Sequence, residues 1–167
     1  MGIRHKRFLS LLLAVMLLLC TACGDTRVDD TAEYTCTISI SCETILNNMD
    51  KCAESKKQFV PGDGVILPAT EVTFSEGESV FDVLQRACKY NKIHMESSFT
   101  PVYNSAYIEG IHNLYEFDVG KLSGWMYAVN GWFPNYGCSR YQLKDGDVVE
   151  WRYTCDLGED LGSGMGG

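Results

Sequence analysis

The sequence predicts an α+β fold in which one main helix packs on one face of a mixed sheet. Three observations lead there. A strand-like alternation runs from Cys36 to Cys42, and a single capped amphipathic segment opens at Ser79. After that segment the apolar runs are short, rich in aromatic and β-branched residues, and separated by glycine-containing turns. Strands, one helix and then several strands are most simply satisfied by a helix covering one sheet face.

The elements follow in order. Cys36, Ile38, Ile40 and Cys42 alternate with Thr37, Ser39 and Ser41, the period-two pattern of a half-buried strand. Residues 43–49 suit a short helical turn. Residues 51–64 are charged and hold Pro61-Gly62-Asp63-Gly64, a loop with strong turn chemistry. Val65 to Phe74 is a second strand, and Pro68 places it at a sheet edge or a break, because proline cannot donate to a ladder. Ser79 and Asp82 have capping-box spacing, with Val80, Phe81, Leu84, Ala87 and Cys88 on one face behind them and Asn91 as a stop. Residues 94–111 read as strand and loop. Trp125–Val129 and Trp132-Phe133 flank Asn130-Gly131, whose residues accept the positive φ of a hairpin turn. Tyr141–Leu143 and Val148–Tyr153 flank a second turn, Lys144-Asp145-Gly146-Asp147.

The chain's ends carry a different kind of signal. Arg4, Lys6 and Arg7 precede an almost uninterrupted apolar run from Phe8 to Leu19. That run is shorter than the roughly 20 residues a membrane span needs and suits the core of a signal peptide. Thr21-Ala22-Cys23 then places a cysteine where a bacterial lipobox has it, with Cys20 in place of the usual leucine. The expectation is a cleaved signal peptide, 1–22, and a lipid-bearing Cys23 anchored to the extracytoplasmic face of the membrane. Residues 23–33 are then the lipidated cysteine and a flexible acidic spacer, 34–156 the folded domain, and 157–167 a glycine-rich disordered tail.

Charge and composition narrow the function classes. The net charge is −8, and it grows more negative without the leader, which holds three of the 14 basic residues and none of the 22 acidic ones. Nucleic acid binds through Lys and Arg, so such a chain is ill suited to it. Setting aside Cys20 and Cys23 leaves Cys36, Cys42, Cys52, Cys88, Cys138 and Cys155. Six cysteines in an extracytoplasmic domain suggest three disulfides with 15 open connectivities. No CxxC pair occurs, so no metal site is expected. Asp145 and Asp147 fall far short of a calcium loop and read as a solvated turn. No GxSxG, HExxH or phosphate-loop motif is present, and no enzyme is expected.

A family resemblance rests on Gly124-Trp125-Met126-Tyr127, Val129-Asn130-Gly131, Pro134, Gly137, Tyr141-x-Leu143 and Asp145-Gly146-Asp147-x-x-Glu150-Trp151. Upstream, Phe74-x-x-Gly77-x-Ser79-Val80-x-x-Val83-Leu84, Glu96-Ser97-Ser98 through Pro101, and Ile108-x-Gly110-Ile111 extend it. Together these resemble the bacterial transcobalamin C-terminal-like domain across nearly all of 35–155. The resemblance implies a β-grasp-like mixed sheet crossed by one main helix. It also implies a ligand, cobalamin or another corrinoid, that the animal carriers of this type clamp with a second, helical domain. This chain has no room for that second domain. It also has Phe99-Thr100-Pro101 where the carriers have a Trp-Gly-Pro context, with a longer loop to Ile108. A Cys42–Cys155 bridge is implied, closing the ends of parallel first and last strands.

Corrinoids need aromatic platforms and neutral donors rather than catalytic groups. Phe99, Tyr103, Asn104, Tyr107, Trp132 and Tyr136 are the candidate ligand-binding residues. Trp125 and Trp151 suit the core. The expectation is a membrane-tethered lipoprotein that captures a corrinoid-like micronutrient for a vitamin transporter component. The alternative is a cell-surface module that binds protein or glycan and no small molecule. Capture predicts a concave aromatic cleft near Tyr107 and Trp132, whereas the module predicts a flat patch.

Overall fold

The computed structural model of the chain describes residues 33–164. The expected leader, Cys23 and the spacer up to residue 32 lie outside them, as do residues 165–167. The order is β1 (Tyr34–Ser41), α1 (Glu43–Leu46), β2 (Val65–Phe74), α2 (Val80–Asn91), β3 (Met95–Thr100), β4 (Ser105–Ile111), β5 (Leu114–Tyr115), β6 (Gly124–Val129) and β7 (Val148–Thr154). The fold is α+β, as predicted.

One sheet has the order β2-β1-β7-β6, the other β3-β4-β5. β1 lies parallel to β7, with Ile38 opposite Val149 and Ile40 opposite Trp151. Both strands alternate, and the centre of the sheet buries their inner residues, Cys36, Ile38 and Ile40 on β1 and Val149, Trp151 and Tyr153 on β7. β2 is antiparallel to β1 at the edge, and the register shifts where Ile40 meets Leu67, beside Pro68. α2 adds Val80, Val83, Leu84, Ala87 and Cys88 to the main core, against Ile38, Phe74 and Trp151. Val83 belongs to this face, while Phe81 is only half-buried. A second cluster beneath α1 joins Cys42, Ile45, Cys52, Leu114, Val119 and Tyr153.

The capping box is fully formed. Asp82 N–H donates to Ser79 Oγ at 3.3 Å, and Ser79 N–H donates to the Asp82 carboxylate at 2.8 Å. Replacing Ser79 with Ala should lower stability by about 1 kcal/mol. Urea titration checks this, with a lower midpoint expected at unchanged slope.

Several expectations change. The Asn130-Gly131 turn forms with positive φ at both residues, but the ladder beyond it is a single bridge, Val129 to Trp132. Pro134 follows and stops further pairing, so β6 takes β7 as its ladder partner instead. Tyr141–Leu143 contributes only the bridge from Gln142 to Ser79. The Lys144–Asp147 turn is not simply solvated. Asp147 is buried and accepts from Lys144 N–H and Asn130 Nδ2, while Asp145 accepts from Thr35 N–H. The tail expected to be disordered from 157 instead forms a 3-10 turn over Glu159–Leu161. Leu157 N–H donates to Leu122 O, and the Asp160 carboxylate accepts from Cys155 N–H. Gly158 and Gly162 supply left-handed turn positions there rather than slack.

The six cysteines of the domain fall into two groups. Cys36, Cys88 and Cys138 belong to the main core, and Cys42, Cys52 and Cys155 to the second cluster. All six are present as free thiols, and the two members of the implied Cys42–Cys155 bridge share the second cluster.

Candidate ligand-binding cleft

The cleft lies between the β3–β4 hairpin and the segment that follows β6. Its first wall is set by the hairpin turn. Tyr103 N–H donates to Thr100 O and Asn104 N–H to Pro101 O, with Asn104 in the left-handed region at φ 45°. Asparagine tolerates that conformation better than most residues. The second wall begins where Asn130-Gly131 reverses the chain. Buried Pro134 then directs residues 135–140 across β4.

The two walls are latched together. Ala106 N–H donates to Ser139 Oγ at 2.9 Å, and the hydroxyls of Ser139 and Ser105 are 3.0 Å apart. The latch needs a glycine at 137. A Cβ there would lie 1.7 Å from Ser105 Oγ and 2.4 Å from Ser105 Cβ. Gly137 has φ −69° and ψ 151°, which any residue adopts, so the requirement is one of space alone. Tyr127 hydroxyl donates to Tyr136 O at 2.8 Å, and the Tyr136 ring stacks on Tyr141 with an interplanar angle of 14°.

The cleft is open on one side and holds about 430 Å³, within the usual range for small-molecule sites. Thr100, Tyr103, Tyr107, Pro134, Asn135 and Tyr136 line it, with Ser105, Ala106, Gly137 and Arg140 completing the wall. A narrower crevice of about 170 Å³ adjoins it at Ala106, Tyr107, Pro134 and Gly137, and extends to Trp125, Tyr127 and Trp151. The Trp151 indole N–H is buried without a hydrogen-bond partner. Tyr107 donates its hydroxyl to the Glu116 carboxylate. Burial, and then that bond, push its ionisation well above the ordinary tyrosine value, so it stays neutral. Among the described residues, no three His, Cys, Asp or Glu side chains converge as a metal site.

Of the candidate residues, Tyr103, Tyr107 and Tyr136 meet in the cleft. Trp132 stands at its rim, 53% exposed, with its ring 6.1 Å from that of Tyr136. Asn104 shapes the hairpin turn without lining the cleft, and Phe99 is exposed on β3 outside it. Trp125 is half-buried, its ring edge-on to Tyr153 and its N–H donated to Leu114 O. The surface at Tyr107 is concave. Sequence reasoning missed Asn135, Arg140 and the Ser105–Ser139 latch; Gly137 carried a signal only as a motif residue.

Residues 77–155 match the family model described as Domain of unknown function (DUF4430). Among solved structures the chain is similar to haptocorrin in complex with Cbi, cobinamide, at 16% identity and a TM-score of 0.57. That match covers 78% of this chain and 27% of the haptocorrin chain, so this chain spans about a quarter of it. A candidate metal-binding protein of Ruminococcus gnavus is similar at 17% identity and a TM-score of 0.40, over 73% of this chain and 95% of that one. At 16% identity the likeness to haptocorrin is one of fold. No curated protein matches the chain in sequence. Residues 77–155 thus match the DUF4430 model, and the described part of the chain shares the α+β fold of the matching part of haptocorrin.

Proposed function

We propose that this protein is a membrane-tethered, extracytoplasmic lipoprotein that captures a corrinoid such as cobalamin, with no catalytic step, and passes it to a vitamin transporter component. The observation that carries the reading is the cleft, whose aromatic walls are held apart at fixed width by the Ser105–Ser139 latch. Tyr103, Tyr107 and Tyr136 offer the apolar faces a corrin ring packs on, and Asn135 a neutral amide for its fringe. Haptocorrin, which shares the fold, is known in complex with cobinamide.

The cleft is too small to enclose a whole corrinoid, so one ring face stays open to a second partner. Lipid at Cys23 supplies the rest of the account. A binder held at the membrane works at high effective concentration next to a transporter, which offsets modest affinity. Titrating residues 23–167 with cyanocobalamin tests the reading, following quenching of Trp132 and Trp125 emission. Saturable quenching at micromolar ligand is expected, and it should be lost in Tyr107→Ala. No saturable change up to high micromolar ligand would contradict it.

A further inference from the structure

The cleft has a polarity of its own. Arg140 is its one charged lining residue, and no carboxylate lines it. This is unusual in a chain with 22 acidic residues against 14 basic ones. Among the described residues, none gives the Arg140 guanidinium a hydrogen bond or an ion pair. Its backbone is nevertheless fixed. It ends the 3-10 turn Cys138–Arg140, with its N–H donated to Gly137 O at 3.0 Å, beside Ser139 of the latch. The adjoining crevice contains a second donor without a partner, the buried Trp151 indole N–H. Arg140 is exposed at the cleft wall, and the one carboxylate bonded to a lining residue, Glu116, is engaged by the Tyr107 hydroxyl; a cationic wall next to a buried donor suits a ligand that supplies acceptors, one of them charged.

From this we infer that Arg140 binds an anionic phosphodiester of the ligand. The inference rests on the corrinoid reading above. In a complete corrinoid, a phosphodiester links the ring's side chain to the ribose of the nucleotide; cobinamide lacks it. The guanidinium fork matches the two free phosphodiester oxygens in a bidentate pair. The domain therefore selects complete corrinoids over cobinamide, and Arg140 is the residue that sets the selectivity.

Binding of cyanocobalamin and dicyanocobinamide to residues 23–167 tests this, measured for wild type, Arg140→Gln and Arg140→Lys. Wild type should bind cobalamin about tenfold more tightly, the size of one charge-assisted bond. Arg140→Gln should remove that preference by weakening cobalamin alone, leaving cobinamide within about twofold. Arg140→Lys should keep part of it, because the charge remains without the fork. Raising the salt concentration should weaken cobalamin binding in wild type and not in Arg140→Gln. Equal wild-type affinities, or equal losses for both compounds in Arg140→Gln, would overturn the role of Arg140 while leaving corrinoid capture intact. Binding of neither compound would overturn the corrinoid reading itself and this inference with it.

Discussion

Raising the pH from 9 towards 11 should unfold the domain cooperatively. Four buried thiols carry this expectation. Burial, the largest cause in each case, raises Cys36 from 9.0 to about 11. It raises Cys42, Cys88 and Cys138 from 9.0 to about 12. An unfolded chain loses these protons near pH 9, while the folded domain keeps them. Stability is therefore fully present below pH 9 and is lost as pH rises through the folded values. Each group removes on the order of 1.4 kcal/mol per pH unit in that window, so four together remove on the order of 5 kcal/mol per unit. Domains of this kind are stable by roughly 5–15 kcal/mol. Tyr127 and Tyr153, also raised by burial, act in the same direction. Circular dichroism against pH should show a sharp transition between about pH 10 and 11. The same experiment bears on the cysteines, because a disulfide has no proton to lose. A domain that stays folded at pH 12, with fewer than six thiols reactive after denaturation without reductant, would contradict the free-thiol structure.

Replacing Gly137 with Ala should destabilise the domain by about 1–3 kcal/mol, the usual effect of overpacking a closed contact, and abolish ligand binding. The new Cβ falls on Ser105 Oγ and Cβ, and Ser105 is itself buried. Either the 135–140 segment moves off β4 or Ser105 is forced out, and both break the bonds through Ser139. The cleft width is lost with them. The argument makes a second-site prediction. Ser105→Gly removes both clashing atoms, so the double variant Ser105→Gly, Gly137→Ala should be less destabilised than the two single effects added together. Urea midpoints of the four proteins check this. Additive losses would show that the clash is not what constrains position 137.

How much of this was legible in the sequence depended on how local the signal was. The helix was, because Ser79, Asp82 and the apolar spacing behind them are enough to start and orient it. β1 was legible from its alternation, and β2 from its length and Pro68. The partner of β6 was not, because Asn130-Gly131 is a true turn whose following ladder is cut short by Pro134, two residues later. The tail misled for a similar reason. Glycine at 158 and 162 reads as slack, yet Leu157 bonds to the distant Leu122 and Asp160 turns back onto Cys155. Cysteine counting sees number and not position, and the fold divides the six between two clusters. In the cleft, Tyr103 and Tyr107 were visible as aromatics in an altered loop, and Tyr136 as one beside a tight turn and Pro134. The latch was not, since Ser105 and Ser139 are unremarkable until β4 and the 135–140 segment are brought together. Arg140 gave no signal beyond being basic in an acidic chain. Phe99 was a plausible platform by composition, but its strand position leaves it outside the cleft.

Hydrogen exchange of residues 23–167 with and without saturating cyanocobalamin tests the central claim most directly. Capture in the cleft predicts slowed exchange in residues 100–107 and 134–140, the two walls, with the edge strand β2 unchanged. Protection confined to other surfaces, or no change at any ligand concentration, would contradict it.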